Sequence, residues 1–221
     1  HPRGVLKTGR RGSTRIRIEV TGREAHAALD RSKGVSAIDE LLDQLLAVRR
    51  LLPDDGSTLC NIGTVAGGSR ANVIAGRAEA ELGLRFTNLE AERAVLDQLR
   101  ALTPIRDGAR VETVILSNRP AWAEPEQNPL LEAVSAIGQR IGLDIEGRPA
   151  AGAGDTNFTG ALGVPSLDGF GPNGRGAHAL EEQIHVESLP ERAALLAAIL
   201  ADGLDESVLR QKGTAVTEGE T

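Results

Sequence analysis

The chain has 221 residues, a formal net charge of −6, 40% hydrophobic residues and 25% charged residues. These values are ordinary for a globular protein, and an acidic balance without a basic block argues against a nucleic-acid-binding surface. No apolar run approaches the roughly 18 residues that a membrane-spanning helix needs, so we expect no membrane partner. The single cysteine excludes an intrachain disulfide. The N-terminal segment lacks the apolar stretch of a signal peptide, and we therefore expect a cytoplasmic protein.

The first half of the chain alternates apolar and polar residues in four segments, which predict strands at residues 13–20, 58–65, 78–86 and 111–116. Two helices are predicted between them, one after the capping residue Ser36 and one after Asn88. The order β-α-β-β-α-β is typical of an α+β ferredoxin-like domain, a four-stranded antiparallel sheet with both helices on one face.

The second half predicts fewer elements. Asn128 followed by Pro129 begins a helix, and Ser188 resembles a capping residue for the last helix. The apolar run at residues 164–167 is typical of a short buried strand. Two short strands are too few for an independent α/β sheet, so this part packs on the first module or is half of a larger domain. Residues 206–221 are polar and patternless, and we predict a frayed tail.

Residues 152–182 form a glycine-rich stretch that contains Asp155 and His178. Eight of these 31 residues are glycine, more than a core helix or strand needs. Glycine is used where the backbone takes left-handed dihedral angles or approaches a ligand. We interpret Asp155 as the cap of a short helix, and the loop at 169–177 as one that brings His178 to the rim of a site. A solvated loop histidine is the alternative that this stretch alone leaves open.

Four segments, in this order, resemble the M20 family of zinc peptidases and deacylases: TGREAHAALDRSKGVSAIDELL, GGSRANVIAGRAEAELGLRF, NRPAW and GAGDTNFTGALGVPSLDGFGPNGRGAHALEE. The last two look most like the glutamate carboxypeptidase branch of that family. The resemblance implies that residues 12–117 form a ferredoxin-like lid that also makes a homodimer. It implies that residues 118–205 are the C-terminal part of an α/β zinc-hydrolase catalytic domain, whose N-terminal part precedes this segment in the family.

The resemblance also implies roles for individual side chains. His178 matches a zinc ligand of the family. His26 matches a lid histidine that stabilises the tetrahedral oxyanion in the partner subunit's site, a role that needs a positioned donor. The substrate-binding residues that the resemblance implies are Asn72, Arg85, Arg119 and Gly154. A turn residue is the alternative interpretation of Asn72, and an exposed strand arginine is the alternative for Arg85.

The resemblance therefore predicts a fragment of a metallopeptidase or amidohydrolase that uses two zinc ions to hydrolyse the amide bond of small N-acyl amino acids or dipeptides. Zinc and cobalt share these ligand types, so the ligands alone do not distinguish between the two metals. The motifs that supply the other metal ligands and the catalytic base precede this segment in the family, and we expect the chain alone to be inactive. The alternatives are a non-catalytic dimerisation module and a small-molecule-binding regulator.

Overall fold

The structure is a computed structural model of the chain that describes residues 5–177, 179–205 and 208. The chain divides into two compact units, Arg11–Ala121 and a second unit that combines His1–Arg10 with Trp122–Thr221. The strands are β1 (Leu6–Arg10), β2 (Gly12–Thr21), β3 (Ala25–His26), β4 (Thr58–Gly67), β5 (Val73–Ile74), β6 (Arg77–Phe86), β7 (Arg110–Arg119), β8 (Gly147–Ala150), β9 (Gly174–Arg175) and β10 (Gln183–Ile184). The helices are α1 (Ala37–Leu51), α2 (Leu89–Arg100), α3 (Pro129–Arg140), α4 (Thr156–Ala161) and α5 (Ser188–Asp202), with a short 3₁₀ helix at Arg31–Lys33.

The first unit is built on a four-stranded antiparallel sheet in the order β4-β6-β2-β7. β2 and β6 pair without a break, from Gly12 opposite Phe86 to Thr21 opposite Arg77. β7 pairs with the other side of β2 and β4 pairs with the other side of β6, each with one irregularity. The four predicted strands and the antiparallel α+β arrangement are confirmed. The lid limits implied by the resemblance, residues 12–117, stay a prediction, because compactness alone does not identify a lid.

The core of the first unit lies between the sheet and its two helices. Ile18 and Leu84 from the strands are fully buried, and they cluster with Leu41 of α1 and Leu99 of α2. A period of two in a strand and of 3.6 in a helix places such residues on one face of each element. Both helices therefore cover the same face, and the other face of the sheet carries the polar residues of the alternating pattern.

Three helices begin at the capping residues that the sequence predicts. In each case a side-chain oxygen accepts the backbone N–H three residues ahead, at 3.2 Å for Ser36, 2.8 Å for Asn88 and 3.0 Å for Asn128. These bonds satisfy donors that the first turn of a helix leaves without a partner. The starts of α1, α2 and α3 are thus fixed locally.

The second unit differs more from its prediction. Its N-terminal strand β1 pairs in parallel with β8, although the sequence pattern predicts no strand there. The buried strand predicted at residues 164–167 is wrong, because none of these residues is in a strand and Val164 is 50% exposed. A short apolar run does not distinguish a strand from a loop. The predicted tail at 206–221 lies almost wholly outside the described residues.

Ser188 does not cap the last helix as predicted. It is the first residue of α5, and Glu187 occupies the cap position. The Ser188 hydroxyl donates to the carbonyl of His185 at 2.6 Å and accepts the backbone N–H of Asn173 at 2.9 Å. It therefore ties α5 to the glycine loop rather than to its own first turn.

None of the helices in the described part of the chain is both long enough and apolar enough to cross a membrane.

Glu40 is a buried carboxylate on α1 that holds the loop between α2 and β7. Its side chain has no exposed surface, and it accepts the backbone N–H groups of Ile105 at 2.8 Å and Arg106 at 2.9 Å. Gln44 donates to Glu40 at 2.8 Å and to the carbonyl of Thr103 at 2.7 Å. Burial raises the pKa of Glu40, but these donors outweigh burial and hold the pKa below its ordinary value.

We expect Glu40→Gln to lower the free energy of unfolding by about 2 kcal/mol at pH 7, because a neutral amide cannot accept all of these donors. Since the folded-state pKa is lowered, the contribution of ionised Glu40 to the free energy of unfolding is complete above the ordinary glutamate pKa of about 4.3. It is lost as the pH falls through the lower folded-state value. Urea unfolding at a series of pH values should therefore show the difference between wild type and variant shrinking in acid.

Asp43→Asn is the matched control. Asp43 accepts the guanidinium of Arg106 at 2.7 Å from a position that is 43% exposed. A surface ion pair of this kind contributes less than about 1 kcal/mol. The role given to Glu40 would be contradicted if both variants lost the same free energy of unfolding. It would also be contradicted if the loss in Glu40→Gln did not change with pH.

Candidate active site

His26 and Asn72 lie together at one end of the first unit. β3 pairs antiparallel with β5, which places His26 opposite Val73, and the backbone N–H of Ala27 donates to the carbonyl of Asn72 at 2.9 Å. The residues His26 and Asn72 are both exposed. We call this cluster, residues 26–27 and 70–74, the tip. The structure thus brings together two of the residues that the sequence singles out.

The imidazole of His26 is oriented by its own loop. Its Nδ1 accepts the backbone N–H groups of Ala28 at 3.3 Å and Leu29 at 3.2 Å. A ring nitrogen that accepts hydrogen bonds carries no proton, so the neutral ring has its N–H at Nε2. The tip therefore presents an oriented N–H donor, the type of group that stabilises an oxyanion.

Arg85 and Arg119 lie at the opposite end of the same sheet. Ser13 of β2 pairs with Arg85 of β6 on one side and with Arg119 of β7 on the other. Directly paired residues point to the same face, so the three form one row. Nη1 of Arg85 donates to the Ser13 hydroxyl at 2.6 Å and to the carbonyl of Leu84 at 3.0 Å. Guanidinium groups in such a row suit the binding of a carboxylate.

The tip and this arginine row are far apart within one chain. β6 begins at Arg77, three residues after the tip, and reaches Arg85 at its far end. The eight residues of extended chain between them span about 26 Å. A small substrate therefore cannot contact both His26 and Arg85 of the same chain.

Gly154, in the second unit, lies against the guanidinium of Arg10. A Cβ at this position would come within 3.2 Å of Cζ of Arg10, so a larger residue would press on that side chain. The backbone N–H of Gly154 donates to Oδ1 of Asn157 at 2.9 Å. The amide predicted to contact a substrate thus already has a partner within the protein, and its binding role stays a prediction.

Arg10 is a residue of this region that sequence reasoning missed. Its Nε donates to Oδ2 of Asp168 at 2.7 Å, its guanidinium also donates to the carbonyl of Gly152, and its side chain is 11% exposed. Burial raises the pKa of Asp168, but hydrogen bonds from Arg10 and from the N–H of Gly169 outweigh burial and lower it. The pair fastens β1 to the glycine-rich stretch. No local pattern signals it, because its partners are 158 residues apart.

Asp155 occupies the N-cap position of α4, as predicted. Its side chain nevertheless accepts no N–H of that helix, so the predicted capping bond is wrong. The buried side chain of Asn157 orders this turn instead, through the bond from Gly154.

His178, the predicted zinc ligand, lies outside the described residues. The elements before and after it in sequence, β9 and β10, pair antiparallel with Gly174 opposite Ile184. Across the rest of the chain that the structure describes, no group of three or more His, Cys, Asp or Glu side chains is placed to hold a metal ion. The two-zinc site therefore stays a prediction.

Comparison with known proteins relates the chain to peptidases and deacylases. Residues 8–104 match the family model M20_dimer, the peptidase dimerisation domain. The chain is 30% identical over 209 residues to a succinyl-diaminopimelate desuccinylase from Gluconacetobacter diazotrophicus, which covers 90% of this chain and 52% of that protein. It is 26% identical over 204 residues to carboxypeptidase G2 from a Pseudomonas species, covering 89% of this chain and 49% of that protein.

The fold is also similar to a solved structure. The aminopeptidase PepT from Bacillus cereus superposes with a TM-score of 0.66 at 22% identity, covering 89% of this chain and 53% of that chain. The chain spans about half the length of the curated relatives it matches. The dimerisation-domain match and these relatives together relate the chain to the M20 peptidases, whose dimerisation domain matches residues 8–104.

Proposed function

We propose that the chain is part of a metal-dependent amidohydrolase that cleaves the amide bond of small N-acyl amino acids or dipeptides. Similarity to M20 peptidases and deacylases supports the reaction class. The observation that carries the proposal is the tip, where His26 and Asn72 lie together and Nδ1 of His26 accepts two backbone N–H groups. The family resemblance assigns His26 to the developing oxyanion and Asn72 to substrate binding.

The architecture of the first unit supports the finer assignment as well. The strand order β4-β6-β2-β7, with α1 and α2 on one face, suits a ferredoxin-like lid. In the proposed arrangement the second unit is the C-terminal part of the catalytic domain. The resemblance assigns the remaining catalytic residues to a segment that precedes this one in the family.

The residues of this chain have separate tasks in the proposed reaction. His178 is the candidate ligand in this chain for a zinc site, and two zinc ions, when bound, would supply the activation of water. Nε2–H of His26 and the amide of Asn72 donate to the carbonyl oxygen of the substrate as it gains negative charge. Arg85 and Arg119 bind a carboxylate of the substrate and so position the amide.

The separation of the tip from the arginine row requires two chains for one site. β6 begins at Arg77, three residues after the tip, and extends about 26 Å from there to Arg85. We therefore propose that each site takes its tip from one subunit and its Arg85 row from the other. This makes the homodimer a requirement for activity rather than only an assembly state.

The edge strand β4 is the surface that we assign to this dimer. Within the described residues it pairs only with β6, so its other edge is open. α1 exposes an apolar stripe, Ile38, Leu42 and Leu46, with exposed fractions of 36%, 51% and 50%. Exposed edges and apolar stripes of this kind are usually covered by a partner.

Two observations place α1 beside β4. Burial raises the pKa of Cys60 on β4, and the positive charge of Arg49 on α1 opposes this rise. At the other end, a Cβ at Gly68 would lie 3.0 Å from Cδ1 of Ile38. An open strand edge alongside an apolar helix face suits a second copy of the chain, with the two sheets joined across a two-fold axis.

A non-catalytic dimerisation module is the second candidate. The family match favours it, because the matched residues, 8–104, cover the dimerisation domain alone. The two candidates predict the same dimer but differ in activity, and the experiments below separate them.

The double variant Leu42→Asp, Leu46→Asp is expected to weaken self-association at least about tenfold, because burial of each leucine contributes on the order of 1 kcal/mol or more. Sedimentation velocity over a range of protein concentrations measures the effect. Ile105→Asp is the control, since Ile105 is 58% exposed but lies on the loop after α2. An unchanged dimer in the double variant would show that another surface is used.

Mixing two inactive variants tests the shared site in the full-length protein with zinc. His26→Ala and Arg85→Ala are each expected to lower kcat/KM for an N-acyl amino acid by about 100-fold. After subunit exchange the mixture should recover about one quarter of wild-type activity, because half of the dimers are mixed and each has one intact site. No recovery on mixing would contradict a site shared between subunits. His185→Ala, an exposed histidine with no assigned role, should leave activity unchanged.

The chain without upstream residues is expected to show no turnover. Incubation with zinc and N-acetylglutamate, followed by assay of released glutamate, checks this directly. Turnover by this chain alone would show that it contains its own catalytic base.

A further inference from the structure

Arg70 is an exposed cation on the tip that the proposed reaction leaves without a task. Its carbonyl accepts the backbone N–H of Val73 at 3.1 Å, a turn that holds the two Cα atoms within about 7 Å. Val73 lies directly opposite His26, which adds about 5 Å. The Cα atoms of Arg70 and His26 are therefore within about 12 Å, so one small molecule can contact both side chains.

Arg70 lines a cleft of about 480 Å³ that runs from the tip to the start of α1. This volume is typical of small-molecule sites. Its walls include the apolar residues Ala27 and Ile74, and the cations Arg31 and Arg106. The cleft therefore combines an apolar wall with positive charge beside His26.

The charges in this cleft differ in how they are paired. The guanidinium of Arg106 is bound to Glu40 and Asp43. Among the residues that the structure describes, none forms an ion pair or a side-chain hydrogen bond with Arg31 or Arg70, although Asp39 and Asp107 also line the cleft. Arg70 is thus a cation with all its donors available, a few residues from the proposed oxyanion donors.

We propose that Arg70 is a specificity-determining residue that binds a second carboxylate of the substrate while His26 and Asn72 contact the scissile carbonyl. This inference rests on the proposed function and names its substrate class, N-acyl amino acids with two anionic groups. Arg85 of one subunit holds the first carboxylate, and Arg70 of the other subunit holds the second. The second carboxylate belongs to the side chain of the released amino acid or to the far end of the acyl group.

The physical basis is the geometry of the guanidinium group. It donates two parallel hydrogen bonds to a carboxylate, and a neutral amide of the same shape cannot accept both. A site that is built to pair a polar group discriminates strongly against an analogue that leaves it unpaired. For one partly exposed pair we expect a preference of about tenfold to 100-fold in kcat/KM.

The test uses the full-length protein with zinc and two pairs of matched substrates. N-acetylglutamate and N-acetylglutamine differ only in the charge of the side chain, and N-succinylalanine and N-succinamylalanine differ only in the charge of the acyl end. Wild type should prefer the carboxylate member of one pair. Arg70→Ala should lose about tenfold to 100-fold in kcat/KM for that substrate and leave its neutral partner unaffected. The pair that responds identifies where the second carboxylate lies.

Arg77→Ala is the matched control. Arg77 is an exposed arginine at the same end of the sheet, but it does not line this cleft. It should keep the wild-type preference, which separates a specific contact from general attraction of anions.

Three outcomes would overturn the role of Arg70: no preference in wild type, the same preference in Arg70→Ala, or an equal loss in Arg77→Ala. Wild type that hydrolyses none of the four substrates would overturn the proposed function and this inference with it. Hydrolysis by wild type with an unchanged preference in Arg70→Ala overturns the inference alone.

Discussion

The unbroken pairing of β2 with β6 determines where the candidate functional residues lie. Ten consecutive pairs join the two strands, and a shift by one residue would turn Ile18 and Leu84 from the core to the polar face. The same pairing places Arg85 at one end of the sheet and the connection to the tip at the other. The distance between the two sets of residues is thus set by the register of the sheet rather than by side-chain rotamers. A reaction that needs both sets needs two subunits.

The tip keeps its functional side chains exposed because its backbone is held by hydrogen bonds. The Ala27–Asn72 bond joins its two segments, and two N–H groups of the following loop orient the ring of His26. Side chains on such a cluster are positioned without being buried in a core, as is common for binding residues on loops. The same arrangement leaves Arg70 beside them with its donors available, which is why the proposed charge recognition and the proposed oxyanion stabilisation fall at one place.

Local patterns predicted most of the first unit, because alternation along a strand and a cap at a helix start involve residues close in sequence. The Ser36 and Asn88 caps are examples. The second unit was harder because its contacts are distant: Arg10 and Asp168 are 158 residues apart, and the residues of β1 carry no sign of their partner. At the site, family motifs predicted that His26 and Asn72 belong together. The row formed by Arg85 and the position of Arg70 depend on strand register and a turn, which spacing alone does not show.

The first unit begins and ends on neighbouring strands, since Ser13 of β2 lies opposite Arg119 of β7. In the second unit, Arg10 and Trp122 exchange both backbone hydrogen bonds, at 2.7 Å and 3.0 Å. In each unit, the positions where the chain crosses to the other unit therefore lie about 5 Å apart, which is the spacing of neighbouring strands. Domains with adjacent ends are readily inserted into a host or excised from it. Residues 11–121 can thus be replaced or removed as one unit. A short turn from Arg10 to Trp122 would then reconnect the two segments of the second unit.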